Sequence, residues 1–343
     1  MVREHRLLKS PRGDRVLLKK TITTRQDTPL KLSVLMLTYN HERFIAQALD
    51  SILSQRVNFE YEIVVGDDFS TDGTRDVLAG FSLQYGTRIV PLLRDRNIGA
   101  MANMIDTFAA CRGAYIALLE GDDYWTCDDK LQKQVDFLDS HPQTSLCCHR
   151  VELLDADEEA GLGSGIYPKL PPGTHAIDEL LQANFVMTCS AVLRRGPIAL
   201  LPGWFSGLAL GDWPLFALAA SHGNIELMDE TMAAYRVHSG GMWSSRPTFY
   251  RLRETSRMLR SLDRHFEFKY TSIIRRTLAK SYFDLALIER EKGSRARTGK
   301  ELLNCIWNGG WRLSRRQILG LAGYTVMGSW YKKFSKARAA TEN

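Results

Sequence analysis

The stretch ALLEGDDYW, residues 117–125, joins the end of an apolar run to three carboxylates and two aromatic rings. The run at 114–119 has the length and composition of a buried β-strand. Glu120, Asp122 and Asp123 follow it within four positions, where like charges repel each other. A divalent cation would hold them together, and hard oxygen ligands suit Mg²⁺ or Mn²⁺. Without a cation, at least one carboxyl pKa should rise. The stretch therefore predicts a strand that ends at a metal site.

Two other apolar runs end in polar side chains in the same way. LSVLML at 32–37 is followed by Thr38, Tyr39 and Asn40, and YEIVVG at 61–66 is followed by Asp67 and Asp68. Residues with helical spacing separate the runs, which predicts an α/β fold with a mainly parallel sheet flanked by helices. Because such sheets bind ligands beyond the carboxyl ends of their strands, we expect the three polar groups to converge on one rim.

The remaining elements follow from periodicity and from capping residues. Further strands are predicted at 88–93, 188–193, 224–228 and 232–237. Helices are predicted at 41–56, 99–111, 128–140 and 212–222. Pro91 marks the first of these strands as an edge strand. Ser70 or Thr71 is expected to cap a helix that runs to Leu83, and Asp128 to cap the helix at 128–140.

Beyond residue 244 the sequence becomes helical and basic. A helix is indicated by Ile274, Leu278, Tyr282 and Leu285. Gly293 is expected to end it, with a linker at 293–300 and, earlier in the chain, a Gly- and Pro-rich loop at 155–175. The predicted organisation is a basic lead-in at 1–30, an α/β domain at 31–243 and a helical, basic C-terminal extension at 244–343.

The net charge of +6 is unevenly distributed. Residues 1–31 carry +6 and 244–343 carry +14, whereas 32–243 carry −14. The acidic centre argues against nucleic acid as a partner, because a nucleic-acid binder should present a basic surface on its core. The basic arms either favour an anionic membrane surface, at about 1 kcal/mol per well-placed Lys or Arg, or are solvated faces.

Other features of the composition predict a cytoplasmic protein. The six cysteines have no metal-ligand spacing, which indicates buried thiols in a reducing compartment. The N-terminus has no apolar core of signal-peptide length, and the uncharged stretch 317–331 is too short to span a bilayer. We therefore expect the protein in the cytoplasm, with peripheral contact to the membrane as an option.

Four ordered motifs give the sequence a family resemblance across about residues 31–240. They are SVLMLTYNHERFIAQALDSILSQ, YEIVVGDDFSTDGT, RNIGAMAN and ALLEGDDYW. The sequence thereby resembles the family 2 glycosyltransferases, which have the GT-A fold, a Rossmann-like α/β arrangement. The resemblance implies transfer of a sugar from a nucleotide diphospho-sugar to an acceptor hydroxyl, with inversion. UDP is the first expectation for the donor, with GDP or dTDP as alternatives, and the acceptor is expected to be a glycan or lipid-linked molecule of envelope polysaccharide, lipopolysaccharide or other glycoconjugate assembly.

The resemblance also implies roles for single residues. Asp122 is expected to bind the metal that bridges to the diphosphate. The residues expected to contact the nucleotide-sugar are Thr38, Tyr39, Asn40, Asp67, Asp68, Arg94, Asn97, Asn103, Glu120 and Asp123. Among these, Tyr39 offers a face for base stacking, and Asp67 or Asp68 accepts a hydrogen bond from base or ribose. The family often has Asp at the position of Glu120. Glu120 is therefore expected to contact either the ribose or the metal.

Asp212, in LGDWPLF, is the expected catalytic base. Inversion needs a base that deprotonates the acceptor hydroxyl, worth typically about 10²–10⁴-fold in rate. Asp212 opens a predicted helix and matches the acidic residue that the family places there. The alternative is that it only caps the helix. Many relatives have an acidic residue before the base, whereas this chain has Gly211.

Four further side chains are candidates for the site. His238, in YRVHSGGMWS, resembles the histidine that some GT-A enzymes add at the metal or diphosphate, although a lone histidine is often structural. Arg236 could pair with phosphate or contact the acceptor. Trp125 and Trp213 each follow a predicted catalytic acid closely, and each is either a sugar platform or a core residue.

The C-terminal arm at 305–338 mixes tryptophans and aliphatic residues with arginines and lysines. It includes Trp307, Trp311, Trp330, Tyr331, Arg312, Arg315, Arg316, Lys332 and Lys333. This composition is typical of an interfacial helix. The alternative is a helix packed on the catalytic domain or on a second subunit of a homo-oligomer.

Several other functional classes were weighed against this one. There is no Q-x-x-R-W stretch and no transmembrane array, so one sugar per encounter is expected rather than processive synthesis. A nucleotidyltransferase would need a glycine-rich basic loop after the first strand, and TYNHERF is not one. A phosphoryl-transfer enzyme would place its acid where Asn40 stands, and no G-x-G-x-x-G follows a strand as in NAD-dependent enzymes. A nucleotide-sugar-binding module without catalytic activity is kept as an alternative function.

Overall fold

A ten-stranded sheet with helices packed on it organises the protein. The structure is a computed structural model that describes residues 7–9, 15–17, 30–155, 165–198, 200–243, 245–310 and 315–327. The strands are β1 (Leu7–Lys9), β2 (Arg15–Leu17), β3 (Leu32–Thr38), β4 (Tyr61–Asp67), β5 (Ile89–Leu93), β6 (Tyr115–Leu118), β7 (Tyr124–Trp125), β8 (Thr144–Asp155), β9 (Gly165–Tyr167), β10 (Gly173–His175), β11 (Val192–Arg194) and β12 (Asn224–Val237). β1 and β2 pair separately with each other.

The half of the sheet that carries the predicted rim is parallel. Its strand order is β6-β3-β4-β5, with Leu32 beside Tyr61 on one side and beside Tyr115 on the other. β3, β4 and β6 are buried along nearly their whole length because both faces are covered. The carboxyl ends of β3, β4 and β6 lie at the same edge, where the Gly121 amide donates to the Leu37 carbonyl at 2.9 Å. β5 is the edge strand, as Pro91 indicates.

The other half of the sheet is mixed, so the sheet is not parallel throughout. The order continues from β6 through β11, β8 and β12 to β10, with β7 beside β12 and β9 beside β8. The strands predicted at 224–228 and 232–237 are one strand, β12, whose register shifts between Met228 and Ala233 and so mimics a break. Strand β8 was not predicted, and residues 188–190 form a 3-10 turn instead of the start of β11.

Ten helices cover the sheet and extend beyond it in the described part of the chain. They are α1 (Ile45–Leu53), α2 (Thr74–Tyr85), α3 (Ala100–Ala110), α4 (Lys130–Ser140), α5 (Ile177–Gln182), α6 (Asp212–Ala220), α7 (Thr248–His265), α8 (Thr271–Glu291), α9 (Arg295–Trp307) and α10 (Arg315–Met327). The predicted cap of α2 at Ser70 or Thr71 is wrong, because the helix begins after Gly73 and Ser70 accepts a hydrogen bond from Asn40. The predicted cap at Asp128 is also wrong, because α4 begins at Lys130, after Asp129.

The loop and linker predictions are corrected at two places. The stretch 155–175 contains β9 and β10, while residues 156–164 lie outside the described residues. The linker expected at 293–300 is the start of α9, because Thr298, Leu302 and Cys305 are buried at helical spacing. Gly293 does follow the end of α8, with φ of +78°.

The C-terminal helices pack on the same core as the sheet. Met258 of α7 and Ile274 and Leu278 of α8 share a buried apolar cluster with Leu35 of β3. The Thr277 hydroxyl also donates to the carbonyl oxygen at the end of α5. All six cysteines are free thiols, and five of them are buried. Among the described residues, no helix is long and apolar enough to cross a membrane.

Much of the two basic arms lies outside the described residues. These parts include most of 1–30, the aromatic residues Trp311, Trp330 and Tyr331, the basic residues Arg312, Lys332 and Lys333, and the side chains of Arg315 and Arg316. Trp307, at the end of α9, is 80% exposed. The domain boundaries at 30 and 243 stay predictions, although the last sheet strand ends at Val237 and the helices resume at Thr248.

Candidate active site

The acidic loop after β6 gathers its three carboxylates at the rim. One oxygen from each of Glu120, Asp122 and Asp123 lies within 4.8 Å of the others. The loop needs glycine at 121, because a Cβ there would lie 2.9 Å from both the Thr38 hydroxyl and His41 Nδ1. The close approach of β3 therefore sets the path of the acidic loop.

Two histidines face the central carboxylate. His238 Nε2 lies 3.0 Å from Asp122 Oδ2, and His41 Nε2 lies 3.6 Å from the same oxygen. Burial acts to raise the pKa of Asp122, but the hydrogen bond from His238 and the nearby His41 outweigh it and lower that pKa. Burial lowers the pKa of His41 despite Asp122 beside it. The sequence analysis missed His41, whose only signal was its place one residue beyond the turn after β3.

The other two carboxyl groups of the loop are shifted the opposite way. Burial, together with the charges of Asp122 and Asp212, raises the pKa of Glu120 to about 8. Burial and the charges of Asp122 and Glu120 raise the pKa of Asp123 well above its ordinary range. The expectation that crowding raises at least one carboxyl pKa is confirmed.

The donor set of this loop suits a hard divalent cation. Asp122 Oδ1 and Asp123 Oδ2 are buried and have no hydrogen-bond partner among the described residues. Buried acceptors without donors are costly unless a cation or proton satisfies them. Three carboxylates with two histidines close by are an oxygen-rich set of the kind that Mg²⁺ or Mn²⁺ takes in proteins. The residues present therefore fit such an ion.

The ends of β3 and β4 provide the next part of the rim. Thr38 is buried, whereas the Tyr39 ring is 44% exposed beside it. Asn40 has φ of +57°, and its side-chain oxygen accepts from the Thr71 amide at 2.8 Å, so it fixes the turn. Tyr39 is thus the exposed aromatic face at this point.

Asp67 is held by an arginine that the sequence analysis missed. Arg75 Nε lies 2.5 Å from Asp67 Oδ2, and Asp67 Oδ1 is buried without a partner among the described residues. Arg75 stands at the start of α2, eight positions after Asp67, and only the fold brings the two together. The unpartnered Oδ1 leaves Asp67 with a vacant acceptor.

The side chains predicted between the nucleotide and α3 bond to the protein itself. Asp68 accepts from the amides of Ile98 at 2.7 Å and Gly99 at 3.0 Å. Asn103 donates to the carbonyl of Gly66 at 2.8 Å and accepts from Arg94 Nε at 3.0 Å. Asn97 likewise donates to the Asp68 carbonyl at 3.1 Å. These contacts position the 94–99 loop, and nucleotide contacts from its residues stay predictions.

Asp212 lies across a cavity from the acidic loop. It is the first residue of α6, with Gly211 in the cap position, so helix capping is not its role. Burial raises its pKa, and the Thr188 hydroxyl donates to it at 3.4 Å. Glu120 and Asp212 both line a cavity of about 550 Å³. A Cβ at Gly211 would lie 2.2 Å from Met104 Sδ, so a larger side chain does not fit there unless Met104 shifts.

The remaining predicted residues have structural contacts. The Arg236 amide donates to Asp123 at 2.8 Å and its guanidinium to the Asp122 carbonyl at 2.6 Å, so it supports the acidic loop. Trp125 is 4% exposed and donates to a buried carbonyl, which favours the core-packing alternative. Trp213 donates to a carbonyl of α5 but also lines the cavity.

Comparisons with known proteins agree with this geometry. The sequence profile of glycosyl transferase family 2 matches residues 33–200. Over that stretch the chain belongs to glycosyl transferase family 2. The fold is that of GT-A glycosyltransferases, as the solved neighbours show.

Individual similarities are as follows. An uncharacterized protein of Mycobacterium tuberculosis is 40% identical over 216 residues, which cover 62% of this chain and 61% of that relative. TarS 1–349 of S. aureus, in complex with UDP-GlcNAc, aligns with a TM-score of 0.55 at 17% identity over 81% of this chain and 89% of that one. The mannosyltransferase PcManGT of Pyrobaculum calidifontis, in complex with GDP-Man and Mn²⁺, aligns with a TM-score of 0.50 at 14% identity over 88% of each chain.

Proposed function

We propose that the protein is an inverting, metal-dependent glycosyltransferase that moves one sugar per encounter from a nucleoside diphospho-sugar to an acceptor hydroxyl. The observation that carries the proposal is that Asp212 lines the same cavity as Glu120, which belongs to the cluster of three carboxylates after β6. Family 2 membership at 33–200 supports it. A nucleotidyltransferase is disfavoured because the turn after β3 is no basic, glycine-rich loop.

The donor side of the site is assigned to the rim residues. Asp122, with His238 beside it, would hold Mg²⁺ or Mn²⁺, and Glu120 and Asp123 complete the oxygen set. When bound there, such an ion neutralises charge on a leaving nucleoside diphosphate without needing a proton. Tyr39 offers an exposed face to the base. UDP is the first choice of nucleotide, because TarS binds UDP-GlcNAc, while PcManGT binds GDP-Man.

Asp67 is proposed as the hydrogen-bond acceptor for base or ribose. Its Oδ1 is the buried atom without a partner among the described side chains at the end of β4, while Oδ2 is engaged by Arg75. A donor group of the nucleotide would satisfy that oxygen. Asp68, in contrast, has both carboxylate oxygens occupied by backbone amides.

Asp212 is proposed as the base for the acceptor hydroxyl. Its burial keeps the carboxyl pKa above the ordinary value, which brings it nearer to that of a useful base at neutral pH. The Thr188 hydroxyl and the nearby backbone amides of Asp212 and Trp213 hold the carboxylate in place. The proton would pass from the acceptor hydroxyl to that carboxylate as the new glycosidic bond forms.

Thermal unfolding with nucleotides tests the donor assignment. The purified protein is heated with UDP, GDP, dTDP or CMP, each with and without Mn²⁺. Ligand at 100 times its Kd adds about 2.7 kcal/mol to stability, a rise in Tm of about 2–4 °C for a chain of this size. We expect a metal-dependent shift with one nucleotide that Asp122→Asn abolishes. No shift with any nucleotide would contradict the proposal.

Asp212→Asn separates a catalyst from a silent binding module. The variant should keep the nucleotide-dependent shift in Tm, because Asp212 is not one of the three clustered carboxylates assigned to the metal, but lose about 10²–10⁴-fold in transfer rate. Release of nucleoside diphosphate measures that rate. Equal rates for the variant and the unchanged protein would rule out the base role, and no activity in either would favour the silent module.

The C-terminal arm is proposed to contact an anionic membrane. Two observations support this proposal: residues 244–343 carry a net charge of +14, and the Trp307 ring within that stretch is exposed. Replacement of Lys332 and Lys333 by Glu tests this without truncating α9, and sedimentation with anionic and neutral vesicles is the measurement. Unchanged sedimentation would favour the alternative, in which the arm packs on the catalytic domain or on a second subunit. Light scattering would then distinguish a monomer from an oligomer. Packing on the catalytic domain is supported by Leu321 of α10, which lies in the main apolar cluster.

A further inference from the structure

The cavity beside Asp212 is formed between the sheet and the C-terminal helices. Its volume of about 550 Å³ is typical of small-molecule sites. One wall comes from the ends of β3 and β6 and from α3 and α6, and the facing wall comes from α7 and α8. Thr277 and Ser281 of α8 line it, although both residues lie far beyond the stretch that the family profile matches.

The surface of this cavity is predominantly apolar. Its apolar lining includes several leucines and a group of methionines and tryptophans, here called the Met–Trp wall: Met101, Met104, Met187, Trp213, Met242 and Trp243. Methionine side chains are flexible and polarizable and adapt to irregular apolar ligands. Several polar side chains on the lining already have partners in the protein, such as the hydroxyls of Thr277 and Ser281, which donate to backbone carbonyls.

Two of the three acids that line the cavity, Glu120 and Asp212, lie on the sheet side next to the proposed donor site, whereas Asp284 lies on α8 together with Lys280. Glu120 connects the cavity to the acidic loop, and Asp212 stands beside it at the start of α6. A free sugar would need a polar partner for each of its hydroxyls when buried here. The side chains of the Met–Trp wall offer few such polar partners, whereas an alkyl or aryl group is stabilised when its apolar surface is buried against them.

We propose that this cavity binds the acceptor, and that the acceptor carries an alkyl or aryl group next to its reacting hydroxyl, seated between the Met–Trp wall and α8. The inference rests on the proposed glycosyl transfer and deepens it. The acceptor oxygen bonds to the anomeric carbon while its proton goes to Asp212. The bond from that carbon to the donor phosphate breaks, and the nucleoside diphosphate leaves with the electron pair.

Paired glycosides test the class of acceptor. Octyl and methyl glycosides of glucose, galactose, mannose, rhamnose and N-acetylglucosamine are compared, with the octyl compounds below their micelle-forming concentrations. Release of nucleoside diphosphate above the rate with water alone gives kcat/KM for each. We expect the octyl member of at least one pair to exceed its methyl partner by about tenfold or more. Equal values in every pair, or no stimulation by any glycoside, would overturn the inference.

Matched variants on α8 test where the apolar group sits. Ser281→Leu fills the cavity, whereas Ser272→Leu puts the same side chain on an exposed position of the same helix. The octyl advantage should disappear in the first variant and persist in the second, and the metal-dependent shift in Tm with nucleotide checks that each variant is folded. If Ser281→Leu fails to fold, Trp243→Ala removes part of the wall and should reduce the advantage. An advantage that survives both changes would refute the placement.

Failure of the inference can be told apart from failure of the proposed function. If only the acceptor class is wrong, the unchanged protein still hydrolyses its donor and shows the metal-dependent shift in Tm with a nucleotide. If the function itself is wrong, neither signal appears with any donor, and both proposals fall together.

Discussion

Lys130 is a fully buried lysine, and the change in its protonation on folding predicts a pH-dependent stability. The side chain lies under α4 with its ammonium 4.2 Å from the centre of the Trp125 ring. Its hydrogen bond is to Gln134 Oε1 at 2.7 Å. Burial lowers the pKa of Lys130 from 10.5 to about 7, because the charged form loses its hydration. The folded protein therefore holds this lysine largely neutral above neutral pH.

The magnitude follows from that pKa. One pH unit between the pKa in the folded and the unfolded chain corresponds to about 1.4 kcal/mol, so a protonated Lys130 costs the fold about 5 kcal/mol. Between pH 7 and about 10 the unfolded chain binds more protons than the folded chain, and stability rises with pH. From pH 7 to pH 9 this residue alone should add about 2 kcal/mol to the free energy of unfolding.

Lys130→Met isolates this contribution. Urea unfolding at pH 7, 8 and 9 gives the free energy of unfolding for both proteins, and groups other than Lys130 cancel in the difference. The loss of the bond to Gln134 adds a constant cost of about 1–3 kcal/mol. The variant should therefore lose about 2 kcal/mol relative to the unchanged protein between pH 7 and pH 9.

The control for this experiment lies on the same helix. Lys133 is part of an ion pair with Glu230 on the surface, and its pKa is raised, so Lys133→Met should show a constant difference over this range. A difference for Lys130→Met that is also constant from pH 7 to pH 9 would refute the assignment of a neutral buried lysine.

Three further perturbations test other parts of the structure. Because burial raises the pKa of Asp212, kcat/KM should fall as the pH drops through a value above 3.8. Asp212→Asn should remove this acidic limb of the pH profile. An acidic limb that persists in the variant would contradict the base role. Gly66→Ala brings a Cβ within 2.1 Å of a threonine hydroxyl and should lower the free energy of unfolding by about 1–3 kcal/mol. Gly80→Ala, with open space around it, should instead stabilise α2 by about 0.5–1 kcal/mol. Equal shifts in Tm for the two variants would contradict this difference in packing. Arg75→Ala removes the cation that pairs with the buried Asp67, and the free energy of unfolding in urea should fall by about 2 kcal/mol. An unchanged urea midpoint would contradict this prediction.

The pattern of apolar runs was sufficient to predict the parallel half of the sheet and its rim. β3, β4 and β6 lie within a residue or two of their predicted bounds, because strands buried on both faces form short uncharged runs. The polar residues after them had to meet, since the carboxyl ends of parallel strands share one edge. The mixed half was harder to predict, because β8 alternates little and a register shift interrupts β12.

By itself, then, the sequence determined the α/β class, the acidic loop and the position of Asp212 at the start of a helix. These features are local, because each depends on residues within about ten positions of one another. The tertiary structure alone decided that His238 meets Asp122, 116 positions earlier in the chain. It also decided that α8 closes the cavity beside Asp212. Those contacts arise from strand pairing and helix packing across long loops, which leave no periodicity in the sequence.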